Sequence, residues 1–439
     1  MPGGQSTQWV ATARMLRRAG FGVTGLEVDA AVSRDWSGYV DAMLAANPDA
    51  DPGAIATPMP SLEPPRAPGK GTTPVARKQY NKQLSEQQGV LSDWWLRRMV
   101  AVGQPMHEKL TLLWHNHFAT SAQKVRVAAQ MAAQNQKLRT LSLGDFRTLA
   151  YTMLTDAAML RWLDGQTNTA KAPNENLARE FMELFTLGHG NGYTEDDVRA
   201  GARALTGWVI GADGRTAMIP KRHDSGAKTL FGITGNFDAA GFCDTVLAQP
   251  KSAEYVAGRL LQQLASNEPP SPQALDRLVS AYGPERNLRA LTKAILTDNE
   301  FTDSRAAAVN TPVEWLVGVM RALRVPVEKP ARLKMVHATL RTLGQRPFYP
   351  PSVGGWPSGQ VWLSTASAGA RLRAATQLAH VGDLSSIEST GAGDRVDAVG
   401  YLIGVGAWSD RTVKALQPLV RQPLQLVAAA VNTPEYLTS

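Results

Sequence analysis

Cysteine is nearly absent: Cys243 is the single thiol in 439 residues, so no disulfide can form within the chain and no thiolate cluster can hold zinc or iron–sulfur. Any metal would have to be held by histidine and carboxylate. No stretch approaches the roughly 18 apolar residues that a bilayer span requires, and the first thirty residues lack an uninterrupted apolar run of the kind an export signal carries. Read as it stands, the chain is expected to be cytoplasmic, with no membrane contact. Sustained period-two alternation is also missing, and Asn191-Gly192 has no apolar strands on both sides, so little strand is expected. No Gly-x-Ser-x-Gly elbow, P-loop, dinucleotide fingerprint or His-Glu-x-x-His signature is read in the chain, which demotes the familiar hydrolase, nucleotide and zincin assignments.

What the chain does contain is the composition of a soluble globular protein, 44% hydrophobic and 19% charged, in helical periodicity. The expected fold is all-α, predominantly helical with long irregular loops. It is one helical domain over 1–439, or two closely packed subdomains with a subdivision near 240–250. Gln8 to Ala19 reads as a docked helix that Gly20 ends in the left-handed conformation. Residues 47–73, with Pro64-Pro65 and Pro68-Gly-Lys-Gly71, read as an extended loop, an idle insertion rather than a mobile cover. Thr194-Glu-Asp-Asp197 is a capping box opening a helix that Gly207 closes. A gapless repeat, 149–156, 291–298 and 426–433, reads as a reused helix and turn, with Phe301 and Tyr436 pinning the chain after the second and third copies. The net charge of +8 is a modest density, and Arg97, Arg98, Lys109, Lys124, Arg126, Lys137 and Arg139 follow no nucleic-acid motif, so nucleic acid is not expected as a partner.

Chemistry is concentrated between residues 115 and 228. Asp164, Asn168, Asn174, Glu175, Asn176, Arg179, Glu180 and Glu183 crowd into twenty positions. On a regular helix Leu177, Phe181, Leu184 and Phe185 form the apolar face, while Asn176, Glu180 and Glu183 stack at i, i+4 and i+7. Such a line can ligate one divalent cation through oxygen, or supply an acid and a base. In Trp114-His-Asn-His-Phe118, His117 falls on the apolar stripe and His115 about 160° away, so both reach one metal only if the helix ends near Trp114. His117 is the better ligand. His223-Asp224, in a loop with Lys228, can act as a base with its orienting partner, Lys228 neutralising an anion. Phe348 to Trp362 reads as a packed aromatic loop in which Trp356 and Trp362 are anchors or stacking platforms for a sugar or base, with Arg371 and Arg373 beginning the next helix.

These motifs resemble, in order and over nearly the entire chain, the bacterial family named domain of unknown function 1800. The matching segments are Leu16 to Gly22, Trp114 to Phe118, Met159 to Gly165, Asn174 to Glu180 and on to Gly188, Tyr193-Thr-Glu, Ala204 to Trp208, His223-Asp224 and Gly354-Gly-Trp-Pro357. The resemblance implies a helical fold and no named activity. Many members resemble secreted proteins beside an alkaline-phosphatase-like companion of the domain of unknown function 1501 family, which implies a protein partner. Relatives tend to have Asp-Pro-Ala where this chain has Asp156-Ala-Ala, a change expected to touch a turn rather than chemistry. The expected function is a hydrolase whose pocket joins His115 or His117, the 174–183 helix and His223-Asp224. In the metal version His117, Glu180 and Glu183 hold the ion, and in the metal-free version Glu180 and Glu183 divide acid and base roles. The alternative is a binding or assembly protein for the phosphatase-like companion, a small molecule or a glycan.

Overall fold

The computed structural model describes residues 4–69, 71–302 and 308–439. Helix accounts for 62% of the chain and strand for 4%, so the fold is all-α, and the two antiparallel hairpins, Trp208–Ile210 with Thr216–Met218 and Lys228–Leu230 with Ile233–Gly235, are additions to it. Local chemistry sets the helix starts. Ser6, Thr24, Asp35, Thr73, Asp145 and Ser271 each accept a backbone N–H from the first turn of the helix that follows, which satisfies a donor the helix leaves orphaned. Thr194 and Asp197 form the expected capping box for Glu195–Ala204, and Gly207, at φ +93°, turns the chain away.

Two large hydrophobic cores organise most of the helices, and a small third one around Trp9, Leu16 and Val28 packs the N-terminal pair. The first draws on Met106–His117, Phe146–Leu154, Glu195–Ala204, Ala239–Leu247, Pro250–Leu264 and Leu288–Thr297, and it continues from Ala239 to Leu264 without a break. The second draws on Pro74–Ala101, Pro312–Ala322, Pro330–Leu343, Thr365–Val381 and Pro423–Ala430. Met106–His117 is the wall between them: Leu110, Leu113 and Trp114 enter the first core, and Leu112 enters the second. Because successive residues on a helix are rotated by about 100°, one helix between two cores must send neighbouring side chains into different surroundings.

The repeat is a helix, a turn and a short second helix. Asp156 caps Ala157–Trp162 and Thr433 precedes Pro434–Leu437, while Phe301 and Tyr436 are buried as pins. Ala157 occupies the first helical position, where proline is favoured because its missing N–H is not needed. The capping carboxylate of Asp156 is unaffected by that change, holding the amides of Ala158 and Met159.

Three expectations change in detail. The N-terminal helix, Thr7–Arg18, ends at Ala19 in right-handed geometry, and the left-handed residue is Gly22 rather than Gly20. Gly20-Phe-Gly22-Val-Thr-Gly25 has the spacing of a phosphate-binding loop, but it joins two helices and its glycines are packing sites. A Cβ at Gly20 would lie 2.7 Å from Pro105 and one at Gly22 would lie 2.8 Å from Gly318, while at Gly25 it would run into the Tyr401 ring. The 47–73 segment contains a short helix, Pro52–Ala56, and is fastened down: buried Asp51 accepts from the amides of Gly53, Ala54, Gly103 and Gln104. Trp94 donates to the Thr57 carbonyl and Gln87 to that of Glu63. Lys70 of that segment lies outside the described residues.

Candidate functional site

The 174–188 motif forms a helix that changes type halfway. Asn176–Glu180 is α-helical, and Phe181–Thr186 is a π turn in which the Leu187 amide reaches the Met182 carbonyl at 2.9 Å and the Thr186 hydroxyl the Phe181 carbonyl at 2.5 Å. Such wide turns occur often at functional sites. Gly188, at φ +88°, closes it. A side chain there would lie 2.7 Å from Asn191 and 2.8 Å from Tyr255, so the final glycine of the motif is fixed by sterics and conformation.

The expected line of three polar residues is reduced to two. Asn176 is exposed and takes no part, while Glu180 and Glu183 stay together. Glu183 is well engaged: Oε1 lies 2.6 Å from His189 Nδ1, and Oε2 accepts from the Tyr193 hydroxyl at 3.2 Å. Glu180 is half-buried and has no hydrogen bond among the described residues. Burial, and then the charge of Glu183, push its carboxyl above the usual range, with Arg179 opposing. Tyr255 from Pro250–Leu264 seals the turn by donating to the Leu184 carbonyl at 2.8 Å. A half-buried carboxyl beside a second carboxyl holds its proton more tightly than an ordinary glutamate.

The other polar residues of the motif build the frame. Arg179 bridges Glu175 at 2.9 Å and Glu195 at 2.7 Å. Asn168 is buried, receives the Asn174 amide and donates to the Ala202 carbonyl, and Asn174 in turn accepts from the Asn176 amide. Asp164 sits at φ +58° and pairs with Lys124 at 2.8 Å. These side chains spend their polar atoms on the backbone and on one another, not on a ligand.

The expectation of one pocket joining three constellations is corrected. Met106–His117 is regular to its end, so His115 and His117 point into different cores. His115 packs its ring on Trp95, Phe348 and Trp356. His117 packs on Trp114, Phe118 and Phe146, and its Nε2 lies 2.8 Å from the Phe185 carbonyl. Burial pulls both imidazoles down to about 3, aided at His117 by Arg259. The ligand set His115, His117, Glu180 and Glu183 is therefore not assembled, because the Nε2 of His117 is turned to a carbonyl of the π turn. Among the described residues no group of three or more His, Cys, Asp and Glu side chains is placed to hold a metal ion.

His223-Asp224 is corrected in the same way. Thr206 clasps the pair: its hydroxyl accepts the Asp224 amide at 2.8 Å, and its carbonyl and hydroxyl lie 3.0 and 3.2 Å from His223 Nδ1. Arg203 takes both carboxylate oxygens of Asp224 and holds it below the usual range, so it is a fixed counter-ion rather than a base. Lys228 is buried and its ammonium donates to the carbonyls of Asp224 and Gly226, the latter at 2.9 Å. It staples the loop, with the Asp224 and Asp238 carboxylates nearby favouring its charge. Trp356 and Trp362 are loop anchors, 4% and 5% exposed, which removes them as stacking platforms. Buried Arg371 holds the Trp362 carbonyl at 2.8 Å.

Residues 14–438 match the family described as protein of unknown function (DUF1800). The chain belongs to the DUF1800 family. No curated protein and no solved structure matches it. The segments that carry DUF1800 membership thus divide by role: 203–228 frames a loop, 115 and 117 fill two cores, and 180–193 carries the carboxyl pair. No helix among the described residues is long and apolar enough to cross a membrane. Reading the sequence missed Tyr193, His189 and Tyr255, which the chain brings to the carboxyls from outside the motif helix. The Tyr193-Thr-Glu segment was the available signal for the first.

Proposed function

We propose that this DUF1800 protein is a hydrolase in which Glu180 is the general acid and Glu183 the general base. The observation that carries this reading is the inequality of the two carboxyls: Glu180 has no hydrogen-bond partner among the described residues and is held protonated to higher pH, and Glu183 accepts from Tyr193 beside His189. A raised acid next to a hydrogen-bonded carboxylate is the division of labour that hydrolysis of an acetal or ester linkage requires. The acid protonates the leaving oxygen, and the base takes a proton from the attacking water. Of the two versions of the site, the metal-free one is supported by this geometry.

The test is turnover of a panel of nitrophenyl glycosides, esters and phosphates by the wild-type protein and by Glu180→Gln and Glu183→Gln. Loss of about a hundredfold or more in each variant is the size expected for removal of an acid or a base. Turnover should depend on pH as a bell whose alkaline limb disappears with Glu180. Equal turnover in wild type and both variants, or no turnover across the panel by any of the three, would sink the reading.

A further inference from the structure

We infer that a separate cavity, between Met106–His117, Pro250–Leu264 and Pro312–Ala322, binds the vicinal hydroxyls of a small neutral polyol or of a sugar ring. Six carboxamides, Asn116, Gln262, Gln263, Asn267, Asn310 and Gln345, line the cavity beside apolar residues. The space is about 60 Å³, enough to take the hydroxyl-bearing edge of such a ligand while the rest of it stays at the open mouth.

The wall is built rather than left over. Asn116, between the two histidines that fill the cores, donates to Gln263 Oε1 at 3.2 Å and accepts the Trp356 amide at 2.7 Å. That second bond lays the Gly354-Gly-Trp-Pro357 loop along the cavity mouth. Gln345 is 3% exposed; its oxygen accepts the Val313 amide at 2.8 Å, and its NH₂ has no partner among the described residues. The Nδ2 of Asn267 and both polar atoms of Gln262 are likewise without hydrogen bonds among the described residues, while Asn267 Oδ1 is fixed by the Val309 amide.

Charge and valence select the ligand class. The charged groups at the cavity are already committed: Lys109 pairs with Glu314, and Arg18 donates to the carbonyls of Phe301 and Ser439. An anion would also have to approach the Glu314 carboxylate that the Lys109 ammonium already neutralises. What remains among the described residues is the NH₂ groups of Gln345, Asn267 and Gln262 with the Gln262 oxygen, and a hydroxyl is their complement because it both accepts and donates. Several hydroxyls on adjacent carbons match several carboxamides on one wall. The site is independent of the acid and base pair. It lies farther along the same helix, Gln263 being eight residues beyond Tyr255, or about 12 Å at the helical rise.

The experiment is saturation-transfer NMR on the full chain with glycerol, erythritol and glucose as probes and acetate as the anionic control. The variants are Gln262→Leu, which removes an amide without a hydrogen bond among the described residues, and Ser358→Leu, which fills the mouth, each checked for helix content. Saturable millimolar binding of at least one hydroxyl probe, weakened tenfold or more by both variants and unchanged in Glu180→Gln, is the expected result. Preference for glycerol and erythritol identifies free polyols, and preference for glucose identifies a sugar ring. Absence of saturable binding, tighter binding of acetate, or binding that either cavity variant leaves unchanged overturns the assignment.

Discussion

Gly355 lies flat against Asn116: with φ at +82°, any Cβ at position 355 would run into both Asn116 Oδ1 and the Asn116 carbonyl. The close approach lets the next amide, that of Trp356, bond Asn116 at 2.7 Å. Gly355→Ala must both adopt a left-handed conformation and displace the loop, so a loss of roughly 2–5 kcal/mol is expected. Urea denaturation checks this. Gly354→Ala, at a residue outside the left-handed region with only a Ser352 contact at 3.6 Å, is the control and should lose far less.

Glu108 is a buried carboxylate held by two guanidiniums and an indole. It is 1% exposed and takes Arg98 at 2.6 Å, Arg139 at 2.7 and 2.9 Å, and the Trp95 indole N–H at 2.9 Å. Burial alone would push its carboxyl up, but Arg139 and Arg98 outweigh burial and hold it at about 2. Removing the charge leaves two buried guanidiniums facing a neutral group, so Glu108→Gln is expected to lose roughly 3–5 kcal/mol. The folded value lies below the unfolded one. The stabilisation is therefore fully present above pH 4.5 and disappears as pH falls toward 2. Denaturation midpoints of wild type and variant should converge over that interval.

His115 and His117 act at the next window up. Both are neutral in the fold down to about pH 3, whereas in the unfolded chain they gain protons near 6.5. Protons then favour the unfolded state, and stability is greatest above about pH 6.5 and declines as pH falls from there toward 3. His115→Phe removes one of these sites. Because the Nε2 of His115 has no hydrogen-bond partner and its neighbours are aromatic, the change at pH 7 should stay within about 1.5 kcal/mol. A shallower loss of stability between pH 7 and pH 4 than in wild type is the expected signature.

Which parts of this were legible in the sequence follows from the range of the forces involved. Caps are local: Thr194 and Asp197 are three residues apart, and their mutual bonds were readable as spacing. The pairing of Glu180 with Glu183 was readable for the same reason. Burial was not. His115, His117, Lys228 and Trp356 carry reactive or ligand-binding atoms as residue types, and only the tertiary fold shows that their polar atoms face carbonyls or aromatic rings. The π turn was hidden too, since Phe181 to Thr186 reads equally as regular helix, and its closure depends on Tyr255, about seventy residues away in sequence. Asn116 was passed over between two histidines because an amide suggests less chemistry than an imidazole.

Glu183 sets part of the proton affinity of Glu180, and the two contributions can be separated. Burial is the larger cause of the rise at Glu180 and the Glu183 charge the smaller. In Glu183→Gln, carbon-13 NMR of the labelled carboxyls should show Glu180 titrating lower than in wild type but still above an ordinary glutamate; an unchanged value would remove the electrostatic coupling on which the division of roles depends. Stability gives the same sign by an independent route. A carboxyl raised in the fold binds its proton more tightly there than in the unfolded chain, so its contribution is favourable below the unfolded value near 4.5 and is lost as pH rises through the folded value. Glu180→Gln, which mimics the protonated form at every pH, should be more stable than wild type at pH 7, and the difference should vanish below about pH 4. A difference that persists at low pH would assign the effect to packing rather than charge.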